Sequence, residues 1–99
     1  MIKKYKITEI LHSGRKGLRN TPVSQDKYND LTGCVCTLDI DNIKPYHGVH
    51  MELEDHPFYD WWDTSVVIEA TIVKETGTLI LETANTIYKL EALDYGEKT

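Results

Sequence analysis

The chain has 99 residues, 27% of them charged, and a formal net charge of −5. This length predicts a single domain over residues 1–99, which the patterns below identify as a β domain. Residues 94–99 are expected to form a frayed tail, as chain ends often do. No apolar run is long enough to span a bilayer, and the N-terminal segment lacks the apolar core of a signal peptide. We therefore expect a cytoplasmic protein that does not use a membrane as a partner.

The charge is divided unevenly along the chain. Residues 1–20 carry six basic side chains against Glu9, a net charge of +5, so the other residues carry −10. An acidic bulk repels phosphate groups, which argues against general nucleic-acid binding. An acidic face can instead dock on a basic protein surface by charge complementarity.

Most of the chain alternates apolar and polar residues with the two-residue period of a half-buried strand. A first strand is expected over residues 4–11. A long loop with glycine and polar residues follows over residues 13–31. The second strand is expected over residues 32–40, and a shorter one over residues 49–53.

The last third of the chain has the most regular pattern. Residues 66–75 and 78–83 predict a β-hairpin, in which Ile68 and Ile72 share one face of the first strand. An Ala-Asn turn then leads into a final strand over residues 87–93. Three antiparallel strands in succession are therefore expected at the C-terminal end.

The predicted fold class is all-β. Five or six short antiparallel strands would leave exposed edges unless the sheet curls, so we expect a small SH3-like or OB-like barrel with a long loop after the first strand. A curled sheet or a compact sandwich is the alternative. A single helical turn fits residues 25–31 or 55–62. Edge strands can also pair between copies, which makes a homodimer an option.

The C-terminal pattern also carries a resemblance. Residues 62–67 read Trp-Asp-Thr-Ser-Val-Val, and residues 83–90 read Thr-Ala-Asn-Thr-Ile-Tyr-Lys-Leu after the hairpin. This pattern resembles the ending of small uncharacterised β proteins of phages and mobile elements. The resemblance implies an accessory protein that acts on a host protein or a defence signal, and it transfers no functional residue.

Two cysteines and two histidines have the chemistry of zinc ligands. Cys34-x-Cys36 precedes His47-x-x-His50, and thiolate with imidazole suits tetrahedral zinc. Zinc knuckles, however, place their cysteines two to four residues apart in a turn, whereas these two lie within a strand pattern beside Leu38. We interpret them as reduced thiols of the core, and we expect no metal site and no cofactor.

Three histidines near the middle of the chain give no enzyme signature. His47, His50 and His56 lie among carboxylates that could supply an acid–base pair or a divalent-metal site. No nucleophile elbow, metalloprotease helix, phosphate-binding loop or dinucleotide motif accompanies them. A non-enzymatic protein is therefore expected.

A basic loop after the first strand is a candidate anion site. Glycine at positions 14 and 17 lets backbone amides approach an anion, and Arg15, Lys16 and Arg19 supply positive charge. This loop is the basis of the alternative function, a small-molecule binder or sponge for a phosphate-containing, nucleotide-like ligand.

The aromatic run Pro-Phe-Tyr-Asp-Trp-Trp over residues 57–62 is the leading candidate for a binding site. Neighbouring side chains of an extended segment face opposite ways, so they cannot all enter one core. Trp62 is predicted to be buried, and Trp61 to lie at the surface with Tyr59. Exposed aromatic rings beside carboxylates suit a protein partner, which favours an interaction protein that inhibits a host protein. This acidic–aromatic surface consists of Asp55, Tyr59, Asp60, Trp61, Trp62 and Asp63.

Overall fold

The computed structural model describes residues 1–14 and 16–93. Arg15 and the predicted frayed tail at 94–99 lie outside the described residues. The described elements are β1 (Ile2–His12), α1 (Asp26–Leu31), β2 (Val35–Asp39), a 3₁₀ turn (Ile40–Asn42), β3 (His50–Glu54), β4 (Trp61–Asp63), β5 (Val67–Val73), β6 (Thr78–Thr83) and β7 (Thr86–Ala92). Within this part of the chain, no helix is long and apolar enough to cross a membrane.

All seven described strands belong to one antiparallel sheet with the order β4-β3-β2-β1-β7-β6-β5. The predicted all-β class is confirmed, but the predicted count of five or six strands is wrong. The additional strand is β4, which is only three residues long and lies inside the aromatic run. A segment this short is too brief to give a readable alternation.

The sheet curls strongly around its core. The indole Nε1 of Trp62 in β4 donates a hydrogen bond to the hydroxyl of Tyr88 in β7, at 3.1 Å. These strands are four positions apart, and a flat sheet would separate them by about 19 Å. In the part of the chain described, β4 and β5 are not paired with each other, so the expected closed barrel is replaced by a curled, open sheet.

The core lies on the concave side of the sheet. Alternate residues of β6 and β7 point into it, as do the inward residues of the central strands. The fully buried members of this core include Tyr5, Ile7, Cys36, Met51, Leu79, Leu81 and Leu90. By contrast, Ile68 and Ile72 of β5 remain exposed, because the sheet order leaves this strand at an edge and no described element packs over it.

The long loop after β1 is partly ordered by α1. The option of a helical turn at 25–31 is confirmed, and Leu31 at its end is buried in the core. The other option, at 55–62, is wrong. Asp55 adopts a left-handed conformation with φ of 64°, and the chain then enters β4 instead of a helix.

Gly48 marks a close crossing between two backbone segments. A Cβ at this position would lie 2.7 Å from the carbonyl oxygen of Thr64. The segments are held together because the amide of Val49 donates to Thr64 Oγ1 at 2.9 Å, and the amide of Thr64 donates to the Val49 carbonyl at 3.0 Å.

Gly48→Ala is therefore expected to lower the free energy of unfolding by about 1–3 kcal/mol, since the added methyl group forces these segments apart. Urea unfolding monitored by tryptophan fluorescence measures the change. An unchanged unfolding midpoint would contradict this expectation.

Candidate protein-binding surface

The pairing of β4 with β3 decides which way the two tryptophans point. Trp62 lies opposite the buried Met51, and Trp61 lies opposite Glu52 on the outer face. Cross-strand partners share a face of the sheet, so Trp62 points inward and Trp61 outward. The predicted directions are confirmed, although Trp62 is only partly buried: it packs against the core, whereas Trp61 is 54% exposed and Tyr59 is 46% exposed.

Trp62 joins the core to the aromatic run and to α1. Its ring meets Tyr28 edge-on at a centroid distance of 5.5 Å, and Tyr59 at 5.9 Å. The ammonium of Lys27 lies 6.0 Å from the Trp62 ring and 5.3 Å from the Tyr28 ring. Of the six residues in the acidic–aromatic surface, Trp62 is thus the one that packs inward, and its ring contacts one other member, Tyr59.

The loop before β4 is fixed by one histidine. The Nδ1 atom of His56 accepts hydrogen bonds from the backbone amides of Phe58 and Tyr59, at 3.0 and 3.1 Å. A further backbone bond of 2.8 Å joins the Leu53 amide to the Asp60 carbonyl. Phe58 is nevertheless 77% exposed. Its exposure therefore occurs on an ordered backbone, which reduces the entropy lost when a partner binds.

The outer face of β3 and β4 carries an imidazole between two carboxylates. His50 Nδ1 lies 2.6 Å from Asp63 Oδ1, and its Nε2 is hydrogen-bonded to Glu52. The His50 ring also lies 5.7 Å from the Trp61 ring. Both ring nitrogens face carboxylate oxygens, so the imidazolium is favoured. The hydrogen bond that it donates to Asp63, followed by the one to Glu52, raises the pKa of His50 above its ordinary value.

NMR titration of the His50 ring is expected to give a pKa above 6.5, because the folded protein holds the proton more tightly than the unfolded chain does. The contribution of this group to stability is complete below about pH 6.5 and is lost as the pH rises through the raised pKa. Asp63→Asn should lower the pKa of His50 more than Glu52→Gln does. If the two variants lowered the pKa of His50 equally, the hydrogen bond to Asp63 would not be the larger cause of the raised pKa.

The exposed residues of this region line a shallow cleft of about 550 Å³. Its lining comprises Lys27, Phe58, Tyr59, Asp60, Trp61, Trp62 and Asp63. Asp55 is exposed but does not line the cleft. Residues 50–63 contain five carboxylates and no lysine or arginine, so the local charge is strongly negative.

Sequence reasoning did not place His50, Glu52 or Lys27 beside the acidic–aromatic surface. His50 and Glu52 are two residues apart in β3 and therefore share its outer face, which is a readable signal. Their proximity to Asp63, however, depends on the pairing register of β3 with β4. No local pattern indicates the position of Lys27 in α1.

The basic loop is bound to the protein itself through Arg19. Its guanidinium makes two hydrogen bonds to the Glu82 carboxylate, at 2.6 and 2.9 Å, and Ser13 Oγ donates to the same carboxylate at 2.8 Å. The Arg19 guanidinium holds the pKa of Glu82 below its usual range. Lys16 and Arg19 are both exposed, but an external anion would have to compete with Glu82 for Arg19.

The two cysteines of the candidate zinc set lie in the protein interior. Both thiols are free and buried, and burial raises the pKa of Cys36 to about 12. Cys34 Sγ donates to the Asp30 carbonyl at 3.2 Å. Among residues 1–14 and 16–93, no group of three or more histidine, cysteine, aspartate or glutamate side chains has the arrangement of a metal site. The core interpretation of Cys36 thus has direct support from its burial.

No protein-family model, curated protein or solved structure matches this chain. The side chains of the surface comprise exposed aromatic rings, carboxylates and one histidine that is hydrogen-bonded to two of those carboxylates.

Proposed function

We propose that this chain is a non-enzymatic interaction protein that binds a basic protein through the acidic–aromatic surface. In this proposal it is an accessory protein of phage or mobile-element type, and it inhibits a host protein in the cytoplasm. The observation that carries the proposal is the exposure of Phe58, Tyr59 and Trp61 on a backbone fixed by hydrogen bonds. Large rings on an ordered support are suited to act as binding hot spots.

The negative charge of the surface favours a partner with a basic surface. Five carboxylates within residues 50–63 attract arginine and lysine side chains, and aromatic faces bind guanidinium and ammonium groups by cation–π contact. Lys27 already makes such a contact with the rings of Tyr28 and Trp62. Protonated His50 offsets part of the negative charge, so affinity for a basic partner increases as the pH rises through the pKa of His50.

Affinity capture from the host with matched charge variants tests the proposal. Asp60→Lys changes the surface charge and retains the backbone bond from Leu53 to the residue 60 carbonyl. Glu75→Lys makes the same charge change in the exposed turn between β5 and β6. We expect one stoichiometric basic protein to be retained by the wild type and by Glu75→Lys, and to be lost with Asp60→Lys and at high salt.

The alternative ligand gives a different result in the same preparation. If inorganic phosphate or a nucleotide raised the melting temperature, the ligand-binding function would replace the proposed one. At a hundredfold excess over Kd the stabilisation would be about 2.7 kcal/mol. Retention of the partner by Asp60→Lys would also overturn the proposal.

A further inference from the structure

The edge strand β5 has an uncovered apolar side. Its residues Ala70 and Ile72 lie opposite Leu81 and Leu79 of β6, and both leucines are fully buried. Cross-strand partners share a face, so all four side chains lie on the core side of the sheet. Ala70 is nevertheless exposed, and Ile72 is 49% exposed. The core layer therefore ends at β6 and leaves an apolar strip on β5.

Within residues 1–14 and 16–93, no strand pairs with the outer edge of the β5 backbone. The Val73 carbonyl accepts from the Gly77 amide at 2.8 Å in the turn, so Val73 directs its backbone groups towards β6. Alternation along an antiparallel strand then directs Thr71 towards β6, and Ala70 and Ile72 towards the outside. The other end of the strand is occupied, because the Val67 amide and carbonyl bond to loop residues 47 and 46.

We propose that a second copy of this chain pairs with this edge, β5 against β5, antiparallel about a two-fold axis at Thr71. This register places Ala70 opposite Ile72 of the partner copy, and the two-fold axis generates the reciprocal pair. Each of the two pairs exchanges two backbone hydrogen bonds. Thr71 lies opposite Thr71 of the partner copy, where threonine pairs are favourable. The apolar strips of the two copies become continuous, and the Val67 contacts to the loop are kept.

The distribution of charge favours a second copy at this edge over the acidic segment that contains the other edge strand, β4. Residues 66–81 carry Glu69, Lys74 and Glu75, a net charge of −1, whereas residues 50–63 carry five carboxylates. In the proposed register Glu69 lies opposite Val73 of the partner copy, so no like charges are paired. Two acidic copies thus meet away from the strongly acidic segment, where their mutual repulsion is weaker.

Cysteine cross-linking tests the register. Thr71→Cys places two thiols in a close, non-hydrogen-bonded pair at the axis, where the Cα separation of about 4.5 Å permits a disulfide. Glu69→Cys, on the same face of the strand, places its two thiols about 13 Å apart. Mild oxidation followed by non-reducing electrophoresis should give a covalent dimer only for Thr71→Cys. Equal cross-linking of both variants, or none for Thr71→Cys, would overturn the register.

Mass measurement tests the assembly itself. Light scattering after size exclusion should give the wild type a mass of 22.8 kDa at high concentration, twice the 11.4 kDa of the chain, falling towards 11.4 kDa on dilution. Ile72→Lys should be monomeric at every concentration, since it puts a charge into the apolar strip. Ile2→Lys, at an exposed position in β1, should keep the dimer. A monomeric wild type, or dimeric Ile72→Lys, would overturn the proposal.

Discussion

Trp62→Ala is expected to lower the free energy of unfolding by about 3 kcal/mol. This value lies near the lower end of the range for removing a large aromatic side chain, because Trp62 is only half-buried. The truncation removes the ring contacts to Tyr28 and Tyr59 as well as the hydrogen bond to Tyr88. Urea unfolding followed by circular dichroism measures the loss without relying on the tryptophan signal.

A milder variant separates packing from hydrogen bonding at this position. Trp62→Phe keeps an aromatic ring between Tyr28 and Tyr59 but removes the Nε1 donor to the Tyr88 hydroxyl. A loss of about 1 kcal/mol is expected for that hydrogen bond. If Trp62→Ala were as stable as the wild type, the curled sheet would not depend on the contact between β4 and β7.

The C-terminal strands are the part of the fold that local pattern predicts best. The strand expected at 78–83 coincides with β6, and the one expected at 87–93 differs from β7 (Thr86–Ala92) by one residue at each end. Strict alternation and an Ala-Asn turn determine this region locally. The exposure of Ile72 could not be predicted, because it depends on β5 being last in the sheet order.

The binding surface is only partly readable from the chain. The parity of neighbouring residues correctly separates Trp61 from Trp62, because β4 is extended. The bonds of His50 to Asp63 and of Arg19 to Glu82 join residues 13 and 63 positions apart. Such contacts follow from strand order and register, which composition and spacing do not specify. Sequence reasoning therefore finds the aromatic run and its neighbouring aspartates, but not the contacts that His50 and Lys27 make with them.

Trp61→Ala is expected to weaken binding of the captured partner by about 2 kcal/mol or more, a rise of about thirtyfold in Kd, while the free energy of unfolding changes by about 0.5 kcal/mol or less. The side chain is mostly exposed on the outer face of β4, and its ring contact is to His50, which is itself exposed. Its removal therefore leaves the core contacts of Trp62 intact.

The control is Tyr46→Ala, which removes an aromatic ring that is even more exposed than Trp61, at 77% against 54%, and does not line the cleft. Isothermal titration of each variant with the partner gives Kd, and urea unfolding of the same samples gives stability. A normal Kd for stable Trp61→Ala would place the partner elsewhere on the molecule. If binding is lost in Trp61→Ala and in Asp60→Lys but not in Tyr46→Ala, the aromatic ring and the carboxylate belong to one contact, since both line the same cleft.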